Sequence, residues 1–273
     1  MNICYNSIGD FMQDIYCKLK LTSIAASLCS ALGVEKPNQA NEPLEALVKL
    51  CEGKSVDRVL MYNPDAIALW IFEKYTDLFT PVMLNTDISL PLESVMPSVT
   101  PVCFGTMYTG ASPEIHGIQS YTKPVIKTDS VFDALIRAGK KPCIVSTGND
   151  SMSKIYLERE MDYFIVETPD EANEKAIELI KEDKYDFIAV YNGNYDGTMH
   201  RYGPESEEAI EALKHNIKAF EALANAVKVN WKNHKTLIGF APDHGCHEID
   251  GGCGSHGLYM PEDMNIVHFY GIL

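Results

Sequence analysis

Short runs rich in β-branched and aromatic residues alternate along this chain with longer amphipathic runs, and that alternation restricts the fold more than any other feature. "RVLMY" (58–62), "PCIVST" (142–147), "DYFIVET" (162–168), "YDFIAVY" (185–191) and "KTLIGFA" (235–241) read as strands. "NIVHFYGIL" (265–273) reads as a last, antiparallel edge strand. Helices are expected between them, over 130–140, 169–183 and 204–231. The last two open with proline and acidic residues, which suits the positive end of a helix dipole. The order predicts a three-layer α/β sandwich, a mostly parallel central sheet flanked by helices. Residues 1–55 read as a helical segment packed on the sheet, and no repeat or linker divides the 273 residues, so one domain is expected.

Composition narrows the partners. Apolar residues make up 46% and charged residues 22%, which suits a folded globular chain. With 38 acidic against 23 basic residues the net charge is −15, so the average field repels polyanions and anionic lipid. Neither a nucleic acid polymer nor a membrane is expected as a partner. No signal peptide pattern opens the sequence and no apolar run of about 20 residues is present, which predicts a cytoplasmic protein. Eight cysteines then stay reduced, with Cys4, Cys51, Cys103 and Cys143 acting as small buried hydrophobes. No CxxC pair supports a zinc ribbon or a redox motif.

In an open α/β sheet the site lies beyond the carboxyl ends of the strands. There, "RVLMY" runs into Asp65, "YDFIAVY" into Asp196 and His200, and "KTLIGFA" into Asp243 and His244. Any single aspartate after a strand is a turn or cap residue by preference. Histidine and carboxylate together at several strand ends point instead to a divalent ion such as zinc or manganese. In "MPSVTPVCFGTMYTGASPEIHGI", Thr100 reads as a helix N-cap, Pro101 as the first helical residue and Gly110 as the terminator. A hydroxyl at a helix N-terminus also sits where backbone N–H groups welcome a phosphate. A cation beside it lowers its pKa and makes it a nucleophile.

These segments resemble the alkaline phosphatase superfamily, and most closely its type I phosphodiesterase/nucleotide pyrophosphatase branch. "PSVTPVCFGTMYTGASPEIHGI" is similar to the nucleophile segment of that branch, "YDGTMHRYGPES" to its D-x3-H-x2-G-P-x-S segment, and "PDHGCHE" with the later "SHG" to its S-D-H-G-M segment. The resemblance spans roughly residues 58–268. It implies one ion held by Asp196, His200 and His256, and another held by Asp65, Asp243 and His244 with Thr100 coordinated to it. Two such ions, about 4 Å apart, clamp the attacking and leaving oxygens of an in-line displacement. They also outweigh three carboxylates, which reconciles an acidic chain with a small anionic phosphate ester as substrate.

Three departures from the pattern matter. Cys103 stands where the branch usually carries an asparagine that helps to bind the phosphoryl oxygens, which makes it a candidate substrate-binding position. Ala66 follows Asp65 where glycine is common, a change expected to matter little. Between Ile118 and Tyr191 nothing reads as more than strand-helix units, so no large cap domain of the phosphomutase relatives is expected, which favours hydrolysis. "CFGTM" lacks the proline and arginine of the C-x-P-x-R motif in sulfatase relatives. The resemblance therefore implies a two-metal hydrolase of phosphate esters working through Thr100 and a covalent phospho-enzyme. A phosphonate or sulfate ester hydrolase on the same metal pair, or a non-catalytic metal-binding homologue, is the alternative. His116 is expected to shape the turn after the nucleophile helix, and His247, Glu248 and Asp250 to lie outside the ligand set.

Overall fold

The computed structural model describes residues 15–273. Ten strands follow in chain order: β1 (Leu19–Lys20), β2 (Arg58–Pro64), β3 (Ile88–Glu93), β4 (Pro142–Thr147), β5 (Asp162–Val166), β6 (Phe187–Asn192), β7 (Thr236–Phe240), β8 (His247–Ile249), β9 (Cys253–Ser255) and β10 (Asn265–Ile272). Eight of them form one sheet in the order β1-β3-β10-β7-β2-β6-β4-β5. The pairings β1–β3, β2–β6, β2–β7, β4–β5 and β4–β6 are parallel. Strand β10 is antiparallel to both β3 and β7. The last strand is thus antiparallel as expected but interior, not an edge, because β3 and the two-residue β1 extend the sheet beyond it. Strands β8 and β9 make a separate antiparallel ribbon.

Period-two alternation explains how two apolar layers form on one sheet. Val59 and Met61 of β2 face one core with Phe187 and Ala189 of β6; Leu60 and Tyr62 face the other with Ile188 and Val190. The first core is covered by the helices Ile24–Ala31, Thr100–Thr109, Val131–Arg137 and Ser151–Ile155. Helices Pro169–Glu182, Asn194–Tyr202 and Glu207–Asn230 cover the second. Central strands are buried on both faces, which is why β2 and β6 read as nearly unbroken apolar runs. Phe240 at the end of β7 packs on Phe79, Phe220 and Phe269 at centroid distances of 5.5–6.2 Å, a stiff floor under the strand that delivers Asp243.

Helix ends follow local chemistry. Helix Pro169–Glu182 begins with a capping box between Thr168 and Glu171 and ends on Asp183 in the left-handed region, φ 49°. The long helix expected from 204 begins at Glu207, where Ser206 accepts from the amide of Ala209. Residues 15–55 are not all helical: β1 joins the sheet, and helices cover Ile24–Ala31 and Glu45–Leu50. Cys51, Cys103 and Cys143 are buried and free, and Cys4 lies outside the described residues. Between Ile118 and Tyr191 the chain builds β4, β5 and their helices. Among the described residues no helix is long and apolar enough to cross a membrane.

Candidate metal centre

Strands β7, β2 and β6 are neighbours in the sheet, and their carboxyl ends all open on one edge. Asp65 directly follows β2, Asp243 and His244 lie just past β7, and Asp196 and His200 sit on the helix Asn194–Tyr202 that follows β6. One turn of that helix puts Asp196 and His200 on the same face. His256 arrives from the end of the β8–β9 ribbon. Asp196, His200 and His256 converge as one group, and Asp65, Asp243 and His244 as another, with the ligand atoms of each group within 4.8 Å of one another. The groups touch: the His244 and His256 rings lie 4.1 Å apart between centroids, tilted by 32°.

Hydrogen bonds set each side chain so that one atom remains for a cation. His200 Nδ1 donates to Gly254 O at 3.0 Å, His256 Nδ1 to Ser98 O at 2.9 Å and His244 Nδ1 to Gly245 O at 2.9 Å. Each Nε2 is thereby left as the inward atom, the tautomer a metal-ligating histidine needs. Asp65 Oδ2 accepts from Tyr191 at 2.5 Å and from Thr100 at 3.3 Å, and Asp243 Oδ1 accepts from the Ala66 amide at 3.3 Å. The remaining oxygens, Asp65 Oδ1, Asp243 Oδ2 and Asp196 Oδ1, are buried with no hydrogen-bond partner. Three orphaned carboxylate oxygens aimed at imidazole nitrogens are a donor set that fits divalent cations.

The electrostatics agree. Burial, with Asp196 adding to it, pushes the Asp65 carboxyl up to about 7, and burial followed by Asp65 pushes Asp243 well above the carboxylate range. Burial works against ionised Asp196 too, but His200 and His256, with Nε2 atoms 3.3 and 3.4 Å from Asp196 Oδ1, hold it below its ordinary value. Asp196 in turn raises His200 to about 9. Burial drives His244 well below the ordinary imidazole range, and His256 adds to the effect. Carboxylates packed this closely stay ionised only against positive charge.

Thr100 lies against the group of Asp65, Asp243 and His244. Its hydroxyl, almost fully buried, lies 3.4 Å from His244 Nε2 as well as 3.3 Å from Asp65 Oδ2. The helix Thr100–Thr109 is capped at Val99 without any side-chain hydrogen bond, which corrects the expectation that Thr100 is its N-cap. The hydroxyl turns into the site instead. Gly110 ends the helix at φ 69°, as expected. Ala66, expected to be an indifferent change from glycine, has φ 63°, a region costing a non-glycine residue about 1–2 kcal/mol. Cys103, one turn past Thr100, is fully buried with its Sγ 3.2 Å from Ser94 Oγ, and burial pushes its thiol well above the ordinary range. His116 braces the helix, with Nε2 3.1 Å from Thr106 Oγ1 and Nδ1 accepting from Ile118 N.

Several supporting residues carry no signal in the sequence. Tyr191 looks like the aromatic end of a core strand, yet its hydroxyl holds Asp65. Asn63 ends β2 and ties Ala241 O at 2.9 Å to the Tyr108 hydroxyl of the Thr100 helix at 2.6 Å. Ser94 donates to Asp243 O at 2.6 Å. Asp263, in a short acidic stretch, is wholly buried and bonds His247 Nδ1 at 2.7 Å and Leu258 N at 2.8 Å. Glu248 and Asp250 lie at the exposed tip of the ribbon, apart from both groups.

The sequence model of the family described as type I phosphodiesterase / nucleotide pyrophosphatase matches residues 78–147 and 145–265. That stretch contains Thr100 and every candidate ligand except Asp65. No curated protein matches the chain. Among solved structures, human ectonucleotide pyrophosphatase / phosphodiesterase 5 is similar at 15% identity and TM-score 0.59, covering 71% of this chain and 58% of its own. The inactive threonine-to-alanine variant of the murine protein, in complex with AMP, gives 16%, 0.57, 71% and 59%. Phosphonoacetate hydrolase from Sinorhizobium meliloti 1021, in complex with phosphonoformate, gives 14%, 0.53, 69% and 56%. At such identities the likeness shows the fold, and the chain spans 56–59% of the length of those chains.

Proposed function

The chain belongs to the type I phosphodiesterase / nucleotide pyrophosphatase family, and from there we propose that it is a two-metal hydrolase of phosphate esters in which Thr100 is the nucleophile. The observation that carries this reading is the pair of touching Asp/His groups, each with an orphaned carboxylate oxygen, and the Thr100 hydroxyl beside Asp65 and His244 of one of them. Asp65, Asp243 and His244 would hold one divalent ion beside Thr100, and Asp196, His200 and His256 the other, zinc or manganese suiting both donor sets. When bound, the ions neutralise the phosphate ester and favour the ionised hydroxyl.

The protein's own groups do the positioning. Asp65 Oδ2 and His244 Nε2 aim the Thr100 oxygen, and Tyr191 holds that carboxylate still. Thr100 Oγ1 attacks phosphorus as its proton passes to solvent, the ester P–O bond breaks, and the leaving oxygen departs on the side of Asp196, His200 and His256, in line with the attack, taking up a proton from solvent to leave as the alcohol. Water then cleaves the Thr100–phosphate bond, takes up the phosphoryl group and restores the hydroxyl. An inactive threonine-to-alanine variant of the murine relative, bound to AMP, supports the nucleophile assignment and a nucleotide-like ester.

Thr100→Ala, assayed on p-nitrophenyl phosphate and its bis ester, is expected to lose turnover by roughly a thousandfold or more while binding the same amount of metal. A variant that turns over at the wild-type rate refutes the assignment. The likeness to phosphonoacetate hydrolase favours a second reading, phosphonate hydrolysis on the same pair. Side-by-side rates on phosphate, phosphonate and sulfate esters separate the two. Elemental analysis finding no metal in folded protein would instead make the chain a non-catalytic homologue.

A further inference from the structure

One loop, from Asp243 to His256, supplies a ligand to each group of the centre, so the spacing of the two cation positions depends on how its two arms are held together. The β8–β9 ribbon accounts for only part of that hold, because its pairs run from His247–Ser255 outward to a turn at Gly251 and Gly252. The arms themselves meet at Asp263, seven residues past His256. Asp263 has no exposed surface, and its three acceptor oxygens are divided between the two arms. Its backbone carbonyl accepts from Gly245 N at 2.8 Å, next to His244, and its Oδ1 accepts from His247 Nδ1 at 2.7 Å. Its Oδ2 accepts from Leu258 N at 2.8 Å, two residues past His256.

The fit around this contact is tight. A Cβ on Gly245 would stand 2.0 Å from the carbonyl oxygen of Glu262, so the first arm lies directly against the backbone that carries Asp263. On the second arm, the His256 ring is held by Ser98 O and lies against His200 and His244, while the backbone beyond it has few ties, since Ser98 Oγ reaches Leu258 O only at 3.5 Å. None of the three Asp263 contacts involves a proposed ligand atom.

We propose that Asp263 is a positioning residue that braces the His244 arm against the His256 arm and so sets the cation site of Asp196, His200 and His256 relative to its neighbour; this rests on the two-metal reading above. The two sites depend on it unequally. Removing the Asp263 side chain leaves the backbone bond to Gly245 in place, and His244 keeps its bond to Gly245 O. His256 loses the anchor at Leu258. The site it completes weakens, and the site of Asp65, Asp243 and His244 is spared.

The test uses the full chain loaded with Mn2+, with metal per chain measured by elemental analysis and the spin coupling between paired ions by electron paramagnetic resonance. Asp263→Ala is expected to bind the first ion as wild type does and the second about a hundredfold more weakly, and Asp263→Asn about tenfold, with loss of the coupled spectrum at Mn2+ levels that fill both wild-type sites. Trp231→Phe, in the core away from the site, serves as a control for lost stability, since its indole N–H bonds Ile180 O. The proposal is overturned if Asp263→Ala, or Asp263→Asn where only that variant folds, keeps wild-type affinity for the second ion. It is equally overturned if the control, at a matched loss of melting temperature, loses the second ion as well. Wild-type protein that binds no metal would overturn the two-metal reading itself, an outcome distinct from both.

Discussion

Tyr191 shows how much one hydroxyl is asked to do. Its ring packs edge-on against Phe104 with centroids 5.7 Å apart, an ordinary core contact, while its oxygen lies 2.5 Å from Asp65 Oδ2. Asp65 is buried, and its other oxygen has no protein partner. Tyr191→Phe keeps the ring and deletes the donor, so the carboxylate loses orientation without leaving a cavity. We expect the affinity of the Asp65, Asp243 and His244 site for zinc to fall about tenfold, as for other groups that support a metal ligand, with the second site unchanged. Competition with a chelating dye, followed as two binding steps, reads this directly; unchanged affinity in both steps would count against the role given to Tyr191. The strain at Ala66 belongs to the same scale. Its positive φ turns its amide onto Asp243, so a residue that looked like a neutral replacement for glycine is held in an unfavourable conformation by the site it serves.

Among the elements, the helix Thr100–Thr109 depends on the short turn that follows it. The His116 ring lies over Gly105, where a Cβ would come within 2.9 Å of its Cε1. That ring is fixed at both ends, by Thr106 and by the Ile118 amide, so it has no free rotamer to yield. Gly105→Ala is therefore expected to destabilise the protein by about 1–3 kcal/mol, the usual range for overpacking, measured by urea unfolding. Stability within 0.5 kcal/mol of wild type, a difference of roughly the size of surface substitutions, would show that the ring can move. Five residues of the proposed centre, Asp65, Asp196, His200, Asp243 and His244, were legible in the sequence because aspartate and histidine together at successive strand ends are not explained by turn preference; Thr100 was read from its place at a helix start, and His256 only from the family resemblance. Their supports were not. Asn63, Ser94, Tyr191 and Asp263 are ordinary residues whose roles come from contacts across 45 to 178 positions of chain or, for Asp263, from a buried position that its acidic neighbours disguise.

At the scale of the whole molecule, the alternation of strand and helix marked five of the sheet's parallel strands and the layer order; four of them are interior, where burial on both faces leaves a nearly continuous apolar run, and β5 is an edge. The alternation did not give β3, whose "ISLPLE" contains Pro91, tolerated because β1 pairs only with Leu92 and Glu93 beside it. Nor did it place β10 inside the sheet, because a strand's neighbours are decided by long-range pairing rather than by its own residues. That interior position has a measurable consequence. His268 on β10 is fully buried, donating from Nε2 to Pro242 O at 2.7 Å with Nδ1 2.9 Å from the Tyr270 hydroxyl, and burial lowers its pKa to about 3. An unfolded histidine titrates near 6.5. Because the folded value is the lower one, unfolding takes up a proton between these two pH values. The contribution of His268 is complete above about 6.5 and declines by roughly 1.4 kcal/mol per pH unit as pH falls toward 3. The metal-site carboxylates titrate in the same range, so the useful quantity is a difference. The gap in unfolding free energy between wild type and His268→Gln, both stripped of metal, should narrow steadily from pH 6.5 to pH 4 while the shared carboxylate effects cancel. A gap that stays constant over that window would mean that His268 does not remain neutral in the folded chain, and that the strand holding Pro242 beside Asp243 is not the source of acid sensitivity.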